Sequence, residues 1–329
     1  MSDNRWIPTC VVAVTAVLML ASPRARAELP FRLVGASARA LGMGDAVTAL
    51  GLGTAGLYFN PACMSQIRQY SIDAGYGYQS PSAAHNLHIS FVDSQTNPEF
   101  AMGAGYTLTK SRRKINGVHE GFTVHDVRAA VSGSFGTEGF QFSIGGTFRY
   151  LNISGDELTS PYSESIRAGR DPATLTPGEM AQMNARKADP RSMSTFDVGI
   201  LMNISDLVYI GAVGQNLVTW SRHWAPRRLG VGLGFVYKML DIGASVDVNF
   251  DSRESVKASP SFGIEYVAGG AVAIRAGFDW DRVSYPQQYR VSGGLGYISQ
   301  YVGIDVGYAH DVAHKENWLI EASIRAFLP

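Results

Sequence analysis

The chain has 329 residues, of which 46% are hydrophobic and only 17% charged, and its 28 Lys and Arg balance 28 Asp and Glu. Without a basic stripe it excludes nucleic acid as a partner, because phosphate recognition needs clustered Lys and Arg. Its charged fraction lies below the ~25% usual in soluble domains, and 36 glycines with 15 tyrosines suit an exported membrane barrel.

Residues 1–27 read as a secretory signal peptide. Arg5 supplies the positive n-region, Cys10 to Ser22 an apolar run of 13 residues, and Ala25-Arg26-Ala27 the cleavage site. That run is shorter than the ~18 residues of a spanning helix, and no later run reaches this length. Loss of Arg5, Arg24, Arg26 and Asp3 with the signal leaves 25 basic and 27 acidic residues, a balance of −2. Cys63 is then the single cysteine, so no intrachain disulfide forms, and no zinc or redox spacing is present.

From 28 to 69 the chain is apolar, rich in Gly and Ala, and does not alternate. It is expected to enter the following barrel as a plug, with a short helical turn in Ala36 to Leu50. Within it, Gly51 to Gly56 (GLGTAG) satisfies G-x-G-x-x-G, a dinucleotide fingerprint that requires a strand before it and a helix after it. Pro61 and the strands beyond supply no βαβ unit, so that reading is set aside.

Residues 70–329 alternate with period two in segments of about ten residues, the length of a tilted transmembrane strand. Ile242, Ala244, Val246 and Val248 share one face, opposite Asp241, Gly243, Ser245 and Asp247. Fourteen such segments begin near Tyr70, Asn86, Phe100, Thr123, Phe140, Thr195, Leu207, Arg228, Asp241, Ser261, Ala271, Gln288, Tyr301 and Asn317. The Leu207 segment is apolar on both faces. Connections after even segments are short, such as Ser205-Asp206. Those after odd segments are long and polar, including Ser111 to Gly121 and a loop over 153–192. Short periplasmic turns and long outer loops are the pattern of an outer-membrane barrel. An even strand number puts both termini in the periplasm. Tyr70, Tyr78, Tyr150, Tyr237, Trp280, Tyr289, Tyr297 and Trp318 fall at segment ends, as interfacial aromatic girdles do. The expected fold is therefore all-β: a 14-stranded antiparallel transmembrane β-barrel with a lumenal plug.

The lumenal face carries Gly103, Gly105, Gly230, Gly232, Gly234, Gly294 and Gly296, where another backbone can approach closely. It also carries Asp73, Asp126, Arg128, Arg149, Asp197, Asp247, Glu265, Arg275, Arg290, Asp305, Glu321 and Arg325. Their mixed signs point to a network between wall and plug, since buried charges need partners. Outside the plug the lumen reads as polar and small rather than greasy.

The segment Gly35 to Ile67 resembles the N-terminal hatch of the outer-membrane long-chain fatty-acid transporter (FadL-like) superfamily, nearest its PorV/PorQ-type branch. Ala40-Leu41-Gly42-Met43-Gly44 and Asn60-Pro61-Ala62 carry the resemblance, the latter matching the family's Asn-Pro-Ala motif. Asp45, Cys63 and Met64 depart from it. The resemblance implies a hatch built on Gly42, Gly44, Gly51, Gly53, Asn60, Pro61 and Ala62. It also implies a lateral opening in the third strand, for which Gly103 and Gly105 are the residues. The implied function is passage of small hydrophobic, fatty-acid-like molecules across the outer membrane. The alternative is a docking barrel for exported proteins of a secretion machine.

No catalytic residues, cofactor or metal are expected. His310 and His314 stand at i,i+4 in a loop rather than on a helix, while His85 and His88 point to opposite faces of a strand. Thr176-Pro177-Gly178-Glu179 is a capping box that predicts a short helix to about Lys187, a lid or a partner site over the mouth. The expected partners are membrane lipid and the transported molecule, for a monomer.

Overall fold

The computed structural model describes residues 37–80, 82–115, 118–154, 192–218, 225–251, 256–283 and 287–328. The signal peptide, residues 28–36 and the helix expected near 176–187 lie outside these residues.

Fourteen antiparallel strands close into a barrel in sequence order. They are β1 (Tyr70–Ser80), β2 (Ala84–Asp93), β3 (Phe100–Ile115), β4 (Val118–Thr137), β5 (Phe140–Ser154), β6 (Ser192–Ile204) and β7 (Val208–Gln215). Then follow β8 (Arg228–Tyr237), β9 (Leu240–Asn249), β10 (Lys257–Ala268), β11 (Val272–Asp281), β12 (Gln288–Ile298), β13 (Val302–Asp311) and β14 (Trp318–Leu328). β1 closes on β14 from Tyr70↔Leu328 to Ser80↔Trp318, so the ring has no free edge.

The pleat sorts each strand into two faces. Outward lie Leu87, Ile89, Val131, Leu233, Ile274, Leu295, Ile304 and Ile324, all exposed. The inward neighbours, among them Asp126, Glu265, Arg275 and Asp305, are buried. A barrel in water would reverse this arrangement. Aromatic rings gather at strand ends on the outer face. Tyr78 and Trp318 lie 5.3 Å apart, and Trp280 stacks on Tyr289 at 5.6 Å.

Two expectations need correction. Ser111 to Gly121 is not a loop: β3 and β4 run through it and pair as far as Ile115↔Val118. The intervening Asn116-Gly117 is the dipeptide that two-residue hairpin connections favour, whatever the charge of its flanks. Secondly, the connection between β1 and β2 spans only 81–83, an exception to the rule of long loops after odd strands.

β7 is apolar on both faces for a reason the fold supplies. Its inner Tyr209 joins a core with Met43, Val47, Ala49 and Leu50, so the lumenal face meets plug rather than water. The outward belt gives a direct test. Leu233→Arg, at the middle of β8, should cost about 2–4 kcal/mol in reversible unfolding from bilayers. An unchanged free energy would mean that this face does not contact hydrocarbon.

Candidate functional site

The segment from Ser37 to Met64 fills the lumen. Each residue in it is buried except Asp45, Leu52 and Phe59, which are half-buried. It opens with helix α1 (Ala38–Gly42), capped by Ser37, whose hydroxyl accepts from the Ala40 N–H at 3.2 Å. After an irregular crossing come helix α2 (Gly56–Phe59) and a 3₁₀ turn over Pro61–Gln66. Such short helices do not stand alone in water; the wall holds them.

Glycine governs how near the wall can come. A Cβ at Gly263 would strike the Met43 carbonyl, one at Gly243 the Ala46 carbonyl, and one at Gly145 would lie 2.5 Å from the Pro61 carbonyl carbon. Gly42 meets Gly294 of β12, where a Cβ would sit 3.1 Å from the partner Cα. Gly44 adopts a left-handed φ of +61°, and a side chain there would meet the Phe278 backbone at 2.7 Å. Asp45 follows at φ +60°, a conformation Asp tolerates better than most side chains. Gly51 closes against Val47, and Gly53, at φ +62°, opens the turn into α2. Gly103 and Gly105 face plug residues, Gly103 toward the Met64 sulfur and Gly105 toward Leu57 and Tyr58. β3 is paired with both neighbours through these two positions.

The Asn-Pro-Ala motif has a specific geometry. Asn60 is wholly buried, and its Nδ2 donates to the Thr48 carbonyl at 3.0 Å and to the Ile200 carbonyl of β6 at 3.1 Å. Its Oδ1 accepts from the Ala62 N–H at 3.1 Å and so caps the 3₁₀ turn, with Pro61 at the first position. One amide therefore ties the plug crossing, the wall and the following turn. Beside it Cys63 is fully buried, and burial pushes its thiol up to about 12.

Among the described residues, two groups of charged contacts reach the plug. In the first, the α1 residue Arg39 bridges to Glu265 (Nη2 at 2.9 Å) and Asp241 (Nη2 at 3.1 Å), while its Nη1 donates to the Leu50 carbonyl at 2.8 Å. Glu265 also pairs with Arg275, Arg275 with Asp305 at 2.7 Å, and Asp305 with Arg325 at 2.5 Å. Arg325 lies 3.8 Å from Asp73, which is bonded to His88 at 2.7 Å. The path runs from β9 through the plug and on around the wall to β2. Glu321, 3.6 Å from His88, joins it and borders a cavity of about 10 Å³ with Gln79, Asn86, Thr109 and Leu319. That space has room for about one water molecule and not for a ligand.

In the second group, Asp126 sits between Arg128 (2.9 Å) and Arg149 (2.7 Å). Arg128 lies 4.7 Å over the Tyr58 ring, and its Nη1 donates to the Tyr58 carbonyl at 3.3 Å. Arg149 reaches Asn216 at 3.2 Å, whose N–H donates to Asp197 at 2.7 Å. Arg290 pairs with Asp279 at 2.6 Å, apart from both groups. Asp247 lies 3.6 Å from Arg228.

The expected lumenal charges are thus inward, and two groups of them hold the plug. Arg39 was not among them, although a lone arginine in a Gly/Ala segment is a signal that a carboxylate must face it. The expectation of a uniformly polar lumen is also corrected. Phe122, Val124, Leu151, Ile153 and Met193 form a buried apolar cluster with Ala225 on the inner face of β4–β6, in strand positions beyond the Asp126 group. Alternation hid this patch, because it is apolar on a face otherwise rich in charge.

Replacement of Arg39 by Met leaves Glu265 and Asp241 facing each other without the plug's cation. It should loosen the plug by about 3–5 kcal/mol, the usual cost of breaking a buried pair. In the folded barrel, maleimide labelling of Cys63 should be slow in the parent and markedly faster in Arg39→Met. Asn60→Asp, which turns a donor to two carbonyls into an acceptor, should have the same effect. Equal labelling in all three would show that neither contact holds the plug.

No protein-family model matches the chain, and no curated protein does. Solved structures do. The chain is similar to the monoaromatic hydrocarbon channel CymD, with a TM-score of 0.59 at 14% identity over 90% of this chain and 98% of that one. It is similar also to the Pseudomonas putida toluene transporter TodX, at 0.58 and 13% over 93% and 98%. A Pseudomonas aeruginosa FadL homologue matches at 0.58 and 11% over 90% and 99%. The chain has the fold of these FadL-type barrels.

Proposed function

We propose that this chain is an outer-membrane channel of the FadL type that passes small hydrophobic molecules, aromatic hydrocarbons or fatty-acid-like compounds, and that its plug is the gate. The observation that carries this reading is the order of layers along the lumen: the apolar cluster of Phe122, Leu151 and Met193, then the Asp126–Arg128–Arg149 group, then the plug. An apolar solute arriving from outside meets a dry patch first and a latched barrier second. The fold shared with hydrocarbon and fatty-acid barrels supports the same reading.

In this scheme the signal peptide delivers the chain to the periplasm, and both chain termini stand on that side. Arg128 couples the layers, since it touches Asp126 of the wall and the Leu57–Tyr58 backbone of the plug. Withdrawal of Leu57, Tyr58 and Met64 would leave no plug side chain against Gly103 and Gly105, with Val92 of the wall still beside Gly103. The inner face of β3 would then hold a notch, and a solute there reaches the bilayer sideways once β3 parts from β2 or β4 at these positions.

Cells carrying the chain should take up labelled toluene or a labelled fatty acid faster than deletion cells, and Phe122→Asp should lower that uptake severalfold without loss of the folded barrel. Saturating ligand should also raise maleimide labelling of Cys63. Unchanged uptake on deletion, with a secretion component recovered alongside the barrel, would replace this reading with the docking one.

A further inference from the structure

The outward face of the strands is nearly free of charge. Among the described strand residues whose side chains are placed, its charged or imidazole groups are Asp93, at one end of β2, and His85, Lys110, His125 and His310. The last four all lie toward the opposite end, where the odd-to-even connections are. They fall on β2, β3, β4 and β13, within a single arc of six adjacent strands, β13–β14–β1–β2–β3–β4.

Pairing makes them a continuous row. His310 stands opposite Trp318, whose ring is 5.3 Å from Tyr78. Tyr78 stands opposite His85, ring to ring at 5.1 Å, and His85 stands opposite Lys110. Lys110 faces Thr123 of β4, with His125 two residues along the same face. Six strands at about 4.8 Å spacing make a row roughly 24 Å wide.

Each histidine has a tyrosine hydroxyl on Nδ1: Tyr76 at 2.6 Å from His85, Tyr106 at 2.7 Å from His125 and Tyr308 at 3.4 Å from His310. When the hydroxyl donates, the neutral ring carries its proton on Nε2 and presents an N–H donor. When the ring is protonated, Nδ1 donates to the hydroxyl and Nε2 still donates outward. In either state the row offers hydrogen-bond donors beside a lysine ammonium, and no carboxylate faces it from the placed residues of these strands.

A belt that only marks the membrane interface would circle the barrel, as the aromatic residues do. Here cationic and imidazole groups occupy one arc and are absent from the described outward face of β5–β12. An ammonium on the lipid side is tolerated only near headgroup level, where its cost falls to about 0–1 kcal/mol. We infer that this arc is a binding surface for the phosphate groups of a phosphorylated glycolipid in the outer leaflet, with Lys110 and the Nε2–H of His85 and His125 as phosphate donors and Trp318 and Tyr78 packed along the headgroup. The inference rests on the outer-membrane placement proposed above and not on what crosses the barrel. Because the arc includes β3, a lipid bound there would stand beside the notch at Gly103 and Gly105.

The test uses the full barrel in neutral detergent, with bisphosphorylated lipid A and its dephosphorylated form as probes and bound lipid counted by native mass spectrometry. The parent should retain the phosphorylated form roughly tenfold better, the ratio that about 1.4 kcal/mol of charge-assisted hydrogen bonding produces. The variant His85→Gln/Lys110→Gln/His125→Gln should lose that preference while Cys63 stays protected. Equal retention of both probes by the parent, or an unchanged preference in the variant, overturns the assignment. If the variant does not fold, the parent's preference must fall steeply as salt is raised to about 1 M, where the screening length is about 3 Å. A preference that survives overturns the assignment equally. Unaltered hydrocarbon uptake in the variant would leave the channel reading standing whatever the lipid result.

Discussion

The plug's main chain can lie against the wall of this barrel only where the wall residue carries no side chain at the point of contact. That constraint orders the rest of the structure. Met43, Ala46 and Pro61 press their main chain onto Gly263, Gly243 and Gly145, and Gly42 meets Gly294 with no Cβ on either side. A glycine in a strand weakens it when considered alone, through lost packing and greater freedom in the unfolded chain. Here the loss is offset because the vacated space is filled by the plug, whose Met43, Val47 and Leu50 are almost wholly buried.

Polar contacts then decide where the plug sits. Apolar packing is non-directional and would accept several positions of a Gly/Ala segment. Arg39 between Glu265 and Asp241, and Asn60 between Thr48 and Ile200, accept one. Buried ion pairs add little net stability over apolar residues of the same shape, yet breaking one is costly. A plug fixed in this way has a single seat, which its apolar packing alone would not choose.

Much of this was legible before the fold was known, and the rest was hidden for identifiable reasons. Strand positions followed from alternation, because one face of each strand is apolar and the other is polar or small. The limits of β3 and β4 were not legible from alternation, because the charged residues across Ser111–Gly121 interrupt it. The inward direction of Asp126, Arg149, Glu265 and Arg275 was readable from parity. Their grouping was not: Arg39 and Glu265 are 226 positions apart, and Arg149 and Asn216 are 67. The apolar cluster at Phe122 escaped for the opposite reason, since it interrupts the pattern by which the lumenal face was recognised.

What the amino-acid order determined alone is the number of strands, the face each residue takes and the presence of a non-alternating leader rich in glycine. These follow from a period of two and from local backbone preferences, which act over a few residues. Closure of the ring decided which inward groups meet, because it brings β14 beside β1 and lays the leader across strands from every part of the chain. The partners of Arg39, the two carbonyls held by Asn60 and the single row from His310 to Lys110 exist only once the ring is closed and its register set.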